Sequence, residues 1–92
     1  MTNENAMHYV QASGLEITHM SDGWVIYRQE TDRVHFLNPT AALVFELCNG
    51  RHTIAEMDAI LSTAYALSAP PSDEIRTCIS KLVAEGLIAP CS

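Results

Sequence analysis

No apolar run in this 92-residue chain approaches the roughly 20 residues that cross a bilayer. The opening Met1-Thr2-Asn3-Glu4-Asn5 has neither the basic nor the apolar region of a secretory signal. Three cysteines, an odd number, cannot make a complete disulfide framework. Together these absences point to a cytosolic, cytoplasmic protein with no membrane partner. Basic residues are scarce as well: 5 Lys plus Arg stand against 11 Asp plus Glu, for a net charge of −6. A nucleic-acid binder needs a basic face to neutralise phosphates, and this chain has little from which to build one. An acidic surface suits a basic or mixed-charge protein partner, or keeps a small domain soluble.

Catalytic and metal-binding patterns are also missing. Cys48, Cys78 and Cys91 are scattered, as are His8, His19, His35 and His52, with no Cys-x-x-Cys or His-x-x-x-His pair. No acidic pair stands at a spacing suited to acid–base work, and no nucleophile has a recognisable base beside it. The glycines punctuate the chain without forming a phosphate-binding loop. The chain therefore reads as catalytically inert, with no cofactor and no metal.

What is present is a single small domain, 48% hydrophobic and long enough for one core. Residues 1–14 are polar, end in Ser13-Gly14, and read as a flexible N-terminal segment, with His8-Tyr9-Val10 able to form a short strand. Residues 15–92 form the domain. Leu15-Glu16-Ile17-Thr18 alternates as a half-buried strand, and Asp22-Gly23 is a tight-turn signal. Trp24-Val25-Ile26-Tyr27 is the second strand, rich in β-branched and aromatic residues; Arg33-Val34-His35-Phe36-Leu37 is the third. The segment Leu37-Asn38-Pro39-Thr40-Ala41-Ala42-Leu43 then joins strand to helix with almost no loop. Asn38 can cap the helix, and Pro39 suits its first position. This helix, from about Pro39 to Cys48, is apolar nearly all round and must be covered on several sides. Asn49-Gly50 ends it. Thr53-Ile54-Ala55-Glu56 is a capping box opening a second helix, with Ile54, Met57, Leu61 and Tyr65 on one face. Ser68-Ala69-Pro70-Pro71 is a linker. Ser72 can cap a third helix, where Ile75, Cys78, Ile79, Leu82 and Val83 make an amphipathic stripe that ends at Gly86. Cys48 and Cys78 fall on core faces, and Cys91 is an exposed thiol near the end. The fold class is α+β: a three-stranded antiparallel sheet followed by a three-helix bundle, winged-helix-turn-helix-like in its last elements.

Over residues 14–89 the chain resembles the PqqD family, the small RiPP recognition elements. The resemblance lies in Asp22-Gly23-Trp24-Val25-Ile26-Tyr27 and Asp32-Arg33-Val34-His35-Phe36-Leu37-Asn38-Pro39-Thr40-Ala41-Ala42. It continues through Glu46-Leu47-Cys48-Asn49-Gly50, Thr53-Ile54-Ala55-Glu56 and Leu82-Val83-Ala84-Glu85-Gly86-Leu87-Ile88. It implies a non-catalytic peptide chaperone. Such proteins bind the leader segment of a ribosomally made precursor peptide and present it to a modifying enzyme, such as a radical S-adenosylmethionine protein or a leader protease. It further implies that the leader docks as an added strand in the groove between the third strand and the third helix. By position, Arg33, Val34, His35, Phe36 and Leu37 would supply the strand edge, and Arg76, Ile79, Ser80 and Val83 the opposing wall. Alternation alone leaves open which face of the third strand meets the helix, because Val34, Phe36 and Leu37 are all apolar. The residues support the same mechanism by themselves, since an outer strand offers unpaired N–H and C=O groups to an extended peptide.

Two alternatives stand beside this reading. One is a winged-helix DNA-binding regulator, for which the third helix offers only Arg76 and Lys81 as positive charges. The other is a dimerisation module in which two copies pair through the first helix or the open strand edge.

Overall fold

The computed structural model describes residues 7–66 and 71–91. Two three-stranded antiparallel sheets flank three helices. In chain order the elements are β1 (His8–Gln11), β2 (Leu15–Met20), β3 (Gly23–Arg28), β4 (Arg33–Leu37), α1 (Pro39–Leu47), β5 (Asn49–Thr53), α2 (Ile54–Ala64), α3 (Ser72–Ala84) and β6 (Ile88–Cys91).

The meander legible in the sequence is β2-β3-β4, in that order across the sheet. Its register sets Trp24 opposite Leu37 and Ile26 opposite His35. Gly23 takes φ +148, and a Cβ there would stand 2.1 Å from the Leu37 carbonyl oxygen. Only glycine lets the hairpin start this close to the end of β4.

Of the second sheet, β5-β1-β6, only the short strand at His8-Tyr9-Val10 was legible. Asn49-Gly50 does end α1, but the chain continues directly into β5, which pairs with β1. Leu87 and Ile88 return to the core as expected, and Ile88 opens β6 along the other side of β1. Of the segment 1–14, residues 1–6 lie outside the described residues, while His8–Gln11 form the central strand. Pro90 is tolerated in β6 because that strand lies at an edge.

Between the sheets the helices close one core around Phe45, Ile54, Met57, Leu61, Ile75 and Leu87. The joint into α1 is built as anticipated: Ala41 N–H donates to Asn38 Oδ1 at 2.8 Å, with Pro39 at the first helical position. Helix α1 buries Ala42, Val44 and Phe45 and meets β3, β4, β5 and α3, which explains its lack of a polar face. The capping box of α2 is complete, with Thr53 N–H donating to Glu56 Oε1 at 2.8 Å and Glu56 N–H to Thr53 Oγ1 at 3.2 Å.

Three local expectations are corrected. Ser72 is the first helical residue of α3 rather than its cap, and its hydroxyl instead donates to Asp58 on α2. Tyr65 is exposed just past the end of α2, where the chain has left the buried face. Cys91 is half-buried in β6. Of the linker 68–71, residues 68–70 lie outside the described residues.

Candidate functional site

Strand β4 is an outer strand, bonded to β3 alone. Its other edge therefore carries backbone groups with no strand partner among the described residues. The open question of its facing is settled by burial. His35 and Leu37 keep 9% and 6% of their surface exposed, whereas Val34 and Phe36 keep 66% and 56%. His35 and Leu37 turn inward because their cross-strand partners Ile26 and Trp24 do the same, and Trp24 meets the buried Phe45 ring edge-on at 6.3 Å.

Helix α3 lies across from this strand. Its C-terminal end is pinned to the meander by two side chains. Arg28 Nη1 donates to the Glu85 carbonyl oxygen at 3.2 Å, an approach open only because Gly86 has no Cβ. His35 Nδ1 lies 2.9 Å from Glu85 Oε2. Farther along, the helix and the β4–α1 joint frame two adjoining hollows. One, of about 220 Å³, is lined by Phe36, Leu37, Asn38, Ala41, Cys78, Lys81, Leu82 and Glu85. The other, of about 380 Å³, is lined by Asn38, Thr40, Ala41, Glu74, Thr77, Cys78 and Lys81. The floor is apolar and the rim is polar, the arrangement that seats a side chain while its backbone bonds elsewhere.

The other edge strands lack this combination. β6 forfeits an N–H at Pro90, and β5 and β2 do not line the two hollows. Burial raises the thiol of Cys78 above its ordinary value, and burial drives Cys48, deeper in the core, up to about 12. Both thiols are therefore poor nucleophiles. No cluster of three metal-ligating side chains occurs among the described residues, and no described helix is long and apolar enough to cross a membrane.

All five strand residues singled out in the sequence lie on β4, Arg33 exposed at its start. The helix residues divide differently. Ile79 is core at 2% exposure. Arg76 is half-buried and pairs with Asp73 at 3.4 Å. Ser80 and Val83 border a separate hollow with Tyr9 and Pro90, towards the second sheet. The wall of the β4 groove is instead Thr77, Cys78, Lys81, Leu82 and Glu85. The reason is helical geometry. Ile75, Ile79 and Leu82 aim at the core, so positions 76, 80 and 83 fall on one flank and 78, 81 and 85 on the other. The stripe in the sequence located both flanks. Which one meets β4 depends on how the helix is laid down.

The family model described as Coenzyme PQQ synthesis protein D (PqqD) matches residues 23–88. No curated protein sequence matches. Among solved structures, the chain is similar to "TbiB1 in Complex with the TbiA(beta) Leader Peptide", at 15% identity and TM-score 0.74, over 86% of this chain and 93% of that one. It is similar to "Lasso peptide synthetase B1 complexed with the leader peptide", at 17% identity and TM-score 0.73, over 90% and 99%. It also matches the heterocyclase TruD, at 14% identity and TM-score 0.65, over 92% of this chain but 12% of that protein. At these identities the structures share the fold.

Proposed function

The chain belongs to the PqqD family, and from that premise we propose that it is a non-catalytic peptide-recognition domain. In this reading it binds the leader of a ribosomally made precursor peptide and presents the precursor to a modifying enzyme. The observation that carries the reading is the unpaired edge of β4 running beside an apolar hollow walled by α3. An extended segment laid along that edge gains main-chain hydrogen bonds, while alternate side chains enter the hollow or remain on the outer face beside Val34 and Phe36. Two of the similar structures hold leader peptides, which supports the same class of ligand here.

The modifying enzyme belongs to the proposal too, as a radical S-adenosylmethionine protein or a leader protease acting in the cytoplasm. The DNA-binding alternative is not favoured. Of the two positive charges on α3, Arg76 is paired with Asp73 and Lys81 lines the groove. Titration of the purified chain with synthetic leader peptides from short reading frames beside its gene tests the reading. Saturable binding is the expected result, and its absence across such peptides, alongside salt-dependent binding to duplex DNA, would overturn it.

A further inference from the structure

Lys81 is the only lysine in a chain of net charge −6. It lines both hollows of the β4 groove. On α3 it stands four residues before Glu85, a spacing at which a lysine and a carboxylate ordinarily reach one another. Here they do not pair. Glu85 is turned to His35, 2.9 Å away, and Lys81 makes no ion pair among the described residues. Lys81 is exposed and borders the same hollow as the buried Leu37 and Leu82 and the half-buried Cys78, which form its apolar floor.

We propose that Lys81 reads an aspartate or glutamate side chain in the peptide strand added to β4, close to an apolar residue seated on that floor. His35 acts as a positioning residue that keeps Lys81 available by holding Glu85. The proposal rests on the peptide-binding reading and adds the chemical class of its ligand. Glu74 lines the far end of the groove, and Arg28 lies close by, donating to the Glu85 carbonyl oxygen. Glu74 and the net charge of −6 disfavour a generally acidic peptide. The selection is therefore for one carboxylate at one register position, acting within the roughly 8 Å reach of screened charges.

A random dodecapeptide library displayed on phage, panned against the full chain and against Lys81→Met and Lys81→Glu, tests this. Lys81 is exposed, so both variants keep the fold. Peptides enriched by the unmodified chain should carry an acidic residue at a fixed distance from an apolar one. Changing that Glu to Gln in a synthetic copy should weaken binding about two- to fivefold, as expected for an exposed ion pair. Lys81→Met should erase the difference, and Lys81→Glu should favour the Lys-bearing copy. His35→Phe should blunt the acid preference by releasing Glu85 onto Lys81, and adding Glu85→Gln should restore it. Enrichment of an apolar motif with no acidic position, and equal affinity for the Glu and Gln copies, would overturn the proposal and leave peptide binding intact. Failure to enrich any peptide that perturbs β4 would overturn both.

Discussion

Leu37 and Phe36 are neighbours on one strand, both large and apolar, and truncating them should have unequal consequences. Leu37 keeps 6% of its surface exposed and closes the floor between β4, α1 and α3. Its replacement by Ala removes buried methyl groups and leaves a cavity, a loss of about 2–5 kcal/mol for such sites. Because the floor borders an open hollow that can relax, the lower part of that range, about 2–3 kcal/mol, is expected. Phe36 keeps 56% exposed, so less than half of its burial can be lost. Full burial of such a side chain contributes about 1.5–3 kcal/mol, which sets Phe36→Ala near 1 kcal/mol. With a urea m-value of about 1 kcal/mol/M for a domain of this size, the midpoints should fall by about 2–3 M and about 1 M respectively. Peptide affinity per unit of remaining folded protein should fall for both variants, because Phe36 and Leu37 both line the groove. A larger stability loss for Phe36→Ala than for Leu37→Ala would refute the assigned facing of β4, and with it the groove.

Gly23→Ala should cost at least about 2 kcal/mol, since φ +148 strains any side chain and its Cβ would strike the Leu37 carbonyl; chemical denaturation measures this, and a neutral result would contradict the hairpin geometry. The backbone N–H of Thr53 holds the Glu56 carboxyl below its ordinary range. A depressed folded value means that its contribution is present above the unfolded carboxylate pKa and is lost as pH falls through the lower folded one. Glu56→Gln should flatten that acid limb in a pH series of melting curves, and Thr53→Ala should cost about 1 kcal/mol at neutral pH. In the native protein Cys48 should resist alkylation, with its thiol pushed up to about 12 and no exposed surface. Cys78 should react slowly and be protected by bound peptide, since it lines the groove; mass spectrometry of timed iodoacetamide reactions reads both, and labelling of Cys78 unchanged by saturating peptide would argue against its place in the site.

The sequence was most legible where local chemistry decides. Asn38-Pro39 and Thr53-x-x-Glu56 each specify their own backbone and occur as anticipated, whereas Asp22-Gly23 marks the hairpin one residue late: the loop is Ser21-Asp22, and Gly23 pairs with Met20 as the first residue of β3. Of the second sheet only the short strand at His8-Tyr9-Val10 is legible in the sequence, because β5 and β6 have no local signature. Asn49-Gly50-Arg51-His52-Thr53 is poor in strand formers, and Ile88–Cys91 contains a proline, so both extend only because β1 pairs with them. The facing of β4 was hidden for a different reason. Val34, Phe36 and Leu37 give no polar position to break the symmetry, and the inward polar residue is His35, which burial beside Glu85 accommodates. On α3 the stripe separated core from flanks, but the choice between the flank of Ser80 and Val83 and that of Cys78 and Lys81 was made by tertiary packing. The strand that borders the groove is thus legible in the sequence, and the helix flank that borders it needs the fold.

Amide hydrogen exchange during titration with a leader peptide reads strand addition at β4 residue by residue. Exchange should slow in residues 33–37, with chemical-shift changes centred at Cys78 and Lys81 on α3 and at its C-cap Glu85. Saturable binding that leaves β4 exchange unchanged, or protects β5 or β6 instead, would contradict strand addition at β4.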